Sequence, residues 1–272
     1  MKLGVLIPCR NEAAVIERKL ANLARCAGIE TARVVVVDDE SQDGTAQKAL
    51  AAGVHVVRNC ERPGKPGALR TGIEALAGCE LIVLTDADVL LDEQALVELV
   101  RAFEREPALA MACGAQRFTH GDTAYDRWTA RVRRIESSLG VLFSVHGQLL
   151  AWRAQLGLVP TLGFAADDLD LMLQARRHGR VRLVSSAVFL EEKCAPGARA
   201  EEQALRRARA YVQFVRAQRG PLAGVLGALQ WQFYRRAPFW MPSRSRLGRL
   251  IARAAELEAR STLPERWDMA RS

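Results

Sequence analysis

Val34-Val35-Val36-Val37-Asp38-Asp39-Glu40-Ser41-Gln42-Asp43-Gly44-Thr45 passes from four β-branched apolar residues straight into an acidic turn bearing Ser and Gly. An apolar run without alternation fits a strand covered on both faces, the condition of a parallel sheet with crossover helices. The same transition recurs on either side. Residues 3–7 lead into Pro8-Cys9-Arg10-Asn11-Glu12, residues 81–84 lead into Asp86-Ala87-Asp88, and a fourth apolar run lies at 54–57. Helical patterns fall between them, near residues 12–26, 43–52, 66–77 and 92–105. This alternation predicts an α/β domain with a mostly parallel, Rossmann-like central sheet flanked by helices. Such sheets bind ligands beyond the carboxyl ends of their strands, so three acidic strand ends predict one polar crevice. A plainer reading stands beside it: Glu12 and Asp43 suit helix amino termini, and Ser41 suits an N-cap.

From residue 108 the pattern changes. An apolar stretch at 108–115 is followed by a predicted helix near 122–143 carrying Arg127, Arg131, Arg133 and Arg134. The segment His146-Gly147-Gln148-Leu149-Leu150-Ala151-Trp152-Arg153 comes next, where acceptor recognition is expected to begin. Asp167-Asp168-Leu169-Asp170-Leu171 opens a helix to about His178, and a strand is expected near 181–184. Beyond about residue 200 the chain reads as a basic, aromatic-rich helical extension. The boundary is placed near 218, giving a catalytic domain over 1–218 and the extension over 219–272.

The 272 residues are 49% apolar, enough for a sizeable core in one large domain or a domain with an appendage. A net charge of +8 suits an anionic partner: nucleic acid, an acidic membrane surface or a phosphate-bearing substrate. No helix-turn-helix, zinc-finger or RNP-type aromatic pattern accompanies it, so no nucleic-acid partner is expected. Six cysteines without a C-x-x-C pair fit neither a zinc cage nor a disulfide framework, and a reducing cytoplasm is the expected location. Met1-Lys2 runs straight into a short apolar stretch that reads as a first strand rather than a signal peptide. The longest uncharged runs, 137–152 and 220–234, fall short of the roughly 20 residues that span a bilayer, so no membrane span is expected.

Asp86-Ala87-Asp88 places two carboxylates at a strand end, where hard oxygen ligands suit Mg2+ or Mn2+ and a ribose. Such an ion would neutralise a departing diphosphate. Lys65, between Gly64 and Pro66-Gly67 ahead of a helix, sets a cation near a phosphate, or is an ordinary turn lysine. The P-loop spacing and the G-x-G-x-x-G fingerprint are both absent, which argues against an ATPase and a dinucleotide dehydrogenase. Asp167 and Asp168 stand at a helix amino terminus, where the dipole keeps a carboxylate ionised and ready to accept a proton. Capping accounts for one of the three aspartates, Asp170 fitting that role best.

Taken in order, residues 7–12, 37–45, 64–69, 86–88 and 166–171 make a set that resembles glycosyltransferase family two, with the GT-A fold, over residues 3 to about 211. The resemblance implies an inverting, non-processive transferase that uses a nucleotide-diphosphate sugar, UDP-linked in most relatives, and Mn2+ or Mg2+. It implies a nucleotide site at Pro8, Arg10, Glu12, Asp39, Lys65 and Asp86, with Asp39 on the base and Asp88 as the metal ligand. Gly147 and Glu191 match donor-sugar and acceptor positions, Asp168 matches the general base, and Asp167 stands beside it.

Two departures bear on this resemblance. Asp167-Asp168 stands where the family often has Glu-Asp, which keeps the base and reshapes the acceptor pocket. The Q-x-x-R-W of processive members is absent from residues 205–211, which weakens a polymer-synthase reading. Among the remaining residues, Glu191-Glu192 reads equally as a solvated strand end, His146 as structural and Cys9 as a small buried side chain.

In the extension, Trp231, Phe233, Tyr234, Phe239 and Trp240 alternate with arginines, followed by Leu247, Leu250, Ile251, Ala254 and Leu257 at helical spacing. This suits peripheral contact with the inner face of a membrane and a lipid or lipid-linked acceptor, or else packing on the domain or a second subunit. Two rivals remain: a nucleotidyltransferase of related shape, whose Gly-rich basic opening loop is missing, and a non-catalytic sugar-nucleotide-binding protein, which would need no base.

Overall fold

The computed structural model describes residues 1–162, 166–192, 204–205, 208–210, 212, 232 and 246–260. The chain divides into two compact units. One comprises Met1–Leu162, Asp167–Lys193 and Arg266–Ser272; the other comprises Gly163–Ala166 and Cys194–Glu265, and contains the boundary expected near 218.

The first unit is the α/β domain. It opens β1 (Leu3–Cys9), α1 (Ile16–Leu23), β2 (Arg33–Asp38), α2 (Thr45–Ala51), β3 (His55–Arg58), α3 (Lys65–Ala75) and β4 (Leu81–Thr85). A short β5 (Leu90–Leu91), α4 (Ala95–Arg105), β6 (Leu109–Phe118), α5 (Ala124–Ser138), β7 (Leu149–Arg153), α6 (Asp167–Ala175) and β8 (Arg180–Glu191) follow. Eight strands form one sheet in the order β3-β2-β1-β4-β7-β6-β8-β5. The four apolar runs of the first half pair in parallel, whereas β7 enters antiparallel between β4 and β6.

Every residue of β1 and β4 is buried, as strands covered by helices on both faces require. Ile16, Leu20 and Leu23 of α1 and Leu96, Leu99 and Phe103 of α4 pack with Val5, Ile7 and Val83 in one core. α3 lies so close to the sheet that a Cβ on Gly72 would stand 2.1 Å from a methyl of Leu6, a distance only glycine avoids.

Several boundaries differ from expectation for identifiable reasons. α1 begins at Ile16 because residues 11–15 form a turn tied to the end of β2, with Asn11 at φ 53°. Ser41 does not cap α2; its hydroxyl accepts from the Asn11 amide, and the cap position is Gly44 at φ 87°. A capping box, Thr123 with Asp126, starts α5, which ends at Ser138. β8 runs far beyond 181–184: Arg182 interrupts the apolar pattern but keeps its pairing with β6, and Ser185 and Ser186 fall in a bulge after which the ladder resumes at Val188. That ladder shifts register between Gly114 and Ala115.

In the second unit, α7 (Arg246–Arg260) buries Ile251 and Ala254 against Ala208 and Val212, with Leu205 and Ala255 around them. That part of its apolar face is covered by the chain itself. Trp231, Phe233, Tyr234, Phe239 and Trp240 lie outside the described residues. Among the described residues, no helix is long and apolar enough to cross a membrane.

Candidate active site

The carboxyl ends of β1, β2 and β3 are locked together by Asp39. Its carboxylate is fully buried and accepts from Asn59 Nδ2 at 2.6 Å, the Gly64 amide at 2.9 Å and the Arg10 guanidinium at 3.4 Å. Arg10 also donates to the Asp39 carbonyl and lies 3.9 Å from Glu40. Pro8 pairs with Val37 inside the sheet, and the buried Glu12 follows, its amide donating to Thr45. Asp38 ends β2 with a buried Oδ1 that has no hydrogen-bond partner among the described residues.

The Asp39 to Gly64 bond places the next residue, Lys65, at the start of α3. Its ammonium donates to Asp86 at 2.8 Å and lies 3.8 Å from Asp167. Burial alone would lower the Lys65 pKa. Asp167, Asp86 and Asp168 together outweigh that desolvation and raise it above the ordinary lysine range. One cation thus gathers carboxylates from β4 and α6. Thr85 pairs with Leu149, so the start of β7 lies beside the end of β4, and Gly147 reaches α6: a Cβ there would stand 3.1 Å from the Asp168 Cβ.

Asp168 is pushed up to about 6 by burial first and by Asp167 second, with Lys65 and the Leu169 amide opposing. Asp88 is likewise pushed up to about 6, by burial, then Asp86 and Glu191, with Lys65 opposing. Glu191, at the end of β8, accepts from Gln116 Nε2. The sequence-predicted residues 39, 65, 86, 88, 147, 167, 168 and 191 therefore form one connected neighbourhood. Asp170 faces elsewhere, accepting from the Thr161 amide and Gln174, so its role is structural without being a cap on its own helix. A larger cavity of about 690 Å3, lined by Met1, Leu76, Glu80, Phe103 and Arg153, opens at the amino ends of the strands and holds none of these groups.

The arrangement fits a divalent cation. Among the described residues no cluster of three or more ligating side chains exists. A strand end with two hard carboxylates, one held near 6 by burial and then by the neighbouring Asp86 and Glu191, is the donor set of an ion that completes its shell with phosphate and water.

Residues 4–152 match the family model described as glycosyl transferase family 2, more than half of the chain. The chain belongs to glycosyl transferase family 2. An uncharacterised protein of Mycobacterium tuberculosis is 31% identical over 208 residues, 67% of this chain and 64% of its own. Poly-beta-1,6-N-acetyl-D-glucosamine synthase of Staphylococcus aureus is 28% identical over 116 residues, 41% of this chain and 28% of its own. The chain thus spans less than two thirds of the length of these relatives. Among solved structures, a mannosyltransferase from Pyrobaculum calidifontis in complex with GDP-Man and Mn2+ superposes with a TM-score of 0.76 at 25% identity. It covers 97% of this chain and 77% of its own, which places the domain in the GT-A fold.

Beneath this family-2 site lies a support that sequence reading missed. Lys19 of α1 is fully buried and donates to Thr85 Oγ1 at 2.7 Å and to the Val89 carbonyl at 2.9 Å, bracketing Asp86-Ala87-Asp88. Asn22, one turn later, donates to the Leu91 carbonyl at 2.9 Å and accepts from the Leu91 amide at 2.8 Å. The available signal was a Lys and an Asn three residues apart on the face of a helix otherwise occupied by Ile16, Leu20 and Leu23. His146 and Cys9 lie as expected: the imidazole packs edge-on against Phe189, and the thiol is buried.

Proposed function

We propose that this protein transfers a sugar from a nucleotide-diphosphate donor, UDP-linked as the first expectation, to an acceptor hydroxyl, with inversion. The observation that carries the reading is the meeting of Asp86, Asp88, Asp167 and Asp168 around Lys65 at the carboxyl end of the sheet. Binding alone needs no base, and a nucleotidyltransferase needs none at the position of Asp168.

Asp168, held near 6 in a buried site beside Gly147, is largely ionised at neutral pH and basic enough to take a proton. It takes that proton from the acceptor hydroxyl as the oxygen attacks the anomeric carbon. The new C–O bond forms while the bond to the diphosphate breaks on the opposite face, and the nucleoside diphosphate leaves with the electron pair. Lys65, paired with Asp86 at 2.8 Å, places positive charge beside the departing phosphates. Mn2+ or Mg2+ held by Asp88, with Asp86 beside it, would supply further charge against the leaving group. Alignment and charge stabilisation supply most of the acceleration, since no covalent intermediate is required.

Asp39, expected on the base, also accepts from Asn59, Gly64 and Arg10 and so orients Lys65. Pro8, Arg10 and Glu12 line the same end of β1, and Glu191 stands toward the acceptor. Asp168→Asn is expected to abolish transfer while donor affinity, read by calorimetry with Mn2+, stays within about threefold. Full turnover in that variant would remove Asp168 from the role.

A further inference from the structure

A second feature of the domain adjoins these carboxylates without belonging to them. A cavity of about 330 Å3 lies between α5 and the strands β6 and β8. Arg117, Arg127, Arg131, Arg133, Arg134 and His146 contribute to its lining, against Asp122 and Asp126 as acids. Both acids are engaged in backbone and capping work: Asp122 Oδ1 accepts from the Phe118 amide, and Asp126 closes the capping box with Thr123. Arg127 donates to the Asp122 carbonyl, Arg134 to the Ala130 carbonyl, and Arg133 contacts His146, yet five positive charges still share one concavity with only two acids in its lining. Planar, permanently charged donors so arranged match the geometry of a phosphate or another oxyanion.

The position of the cavity gives this charge its meaning. His146, on its wall, immediately precedes Gly147, which stands against Asp168. Gln116, also on the wall, donates to Glu191, the acid that faces Asp88. The buried thiol of Cys113 feels both Arg133 and Asp168. The cavity therefore adjoins, through His146-Gly147, the carboxylate proposed as the base, while the donor phosphates are expected at Lys65.

We infer that the acceptor carries a phosphate or comparable anionic group, and that the arginine-lined cavity between α5, β6 and β8 binds it. The inference rests on the transferase reading, which it deepens by naming the chemical class of the acceptor. Electrostatic capture of this kind also gathers an anionic ligand from dilute solution.

The test uses the full chain without donor or metal. Farnesyl phosphate and glycerol 3-phosphate serve as probes, each compared with its neutral alcohol by calorimetry. The phosphates are expected to bind at least tenfold tighter than the alcohols, and Arg131→Gln/Arg134→Gln to lose at least tenfold of that affinity. Arg25→Gln/Arg105→Gln, which removes the same charge from exposed positions elsewhere, is expected to leave it unchanged.

Stronger binding of farnesyl phosphate would assign a lipid source to the anion, and stronger binding of glycerol 3-phosphate a soluble one; either supports the cavity. Equal affinity for phosphate and alcohol, or equal loss in the two double variants, would overturn it. So would displacement of the probe by UDP with Mn2+, which would place the anion in the donor site. Because these measurements need no turnover, a failure of donor cleavage would strike the transferase reading alone.

Discussion

At the scale of single residues, Asp168 sets the expected working pH. Asp168 must be ionised to accept a proton, and burial with Asp167 raises its folded value to about 6. Transfer is therefore expected to fall as pH drops through about 6, approaching one decade per unit below it, with a plateau above. A pH profile of kcat checks this; a rate unchanged down to pH 4.5 would contradict it. Gly147 is the other sensitive position. An Ala Cβ would sit 3.1 Å from the Asp168 Cβ and 3.3 Å from its Oδ2, tight enough to shift the carboxylate by a few tenths of an ångström. Gly147→Ala is expected to lower kcat about tenfold with little change in donor affinity, since misplacement by about 1 Å can cost a hundredfold. These side chains could be singled out because acidic residues at strand ends have few structural uses. What Asp39 does was hidden, because its partners Asn59 and Gly64 are contributed by a loop far along the chain.

At the scale of elements, α1 is the support for the Asp86-Ala87-Asp88 turn. Its two polar side chains make four hydrogen bonds to residues 85–91 in a buried setting. Asn22→Ala strands the Leu91 amide and carbonyl, and is expected to destabilise the domain by about 1–3 kcal/mol for each group left unsatisfied, measured by urea unfolding. Lys19 contributes a pH signature. Burial lowers it from 10.5 to about 8, against the pull of Asp86 and Asp88. Between those values the unfolded chain keeps the proton that the folded chain has lost, so stability rises with pH across about 8 to 10.5. Lys19→Met is expected to remove that rise, on the order of 1–3 kcal/mol; an unchanged pH dependence would contradict it. The parallel half of the sheet was legible because its strands are uniformly apolar. β7 and most of β8 were not, since Gly147 reads as a loop and Ser185 and Ser186 fall in a bulge opposite β6, which no local pattern encodes.

At the scale of the whole molecule, the first unit holds acidic and basic regions side by side: carboxylates at the ends of β4, α6 and β8, and the arginines of α5 beyond them. The net charge of +8 conceals this separation. Family membership fixes the frame, and the reaction proposed within it rests on residues 39, 65, 88 and 168 lying in one neighbourhood.

The most direct measurement is release of nucleoside diphosphate from a panel of UDP- and GDP-sugars, with and without Mn2+, by the full chain and by Asp88→Asn. The expected result is release from at least one donor that requires Mn2+ and falls at least a hundredfold in the variant. Metal-independent release, release undiminished in Asp88→Asn, or none from any donor would contradict a metal-assisted sugar transfer at this site.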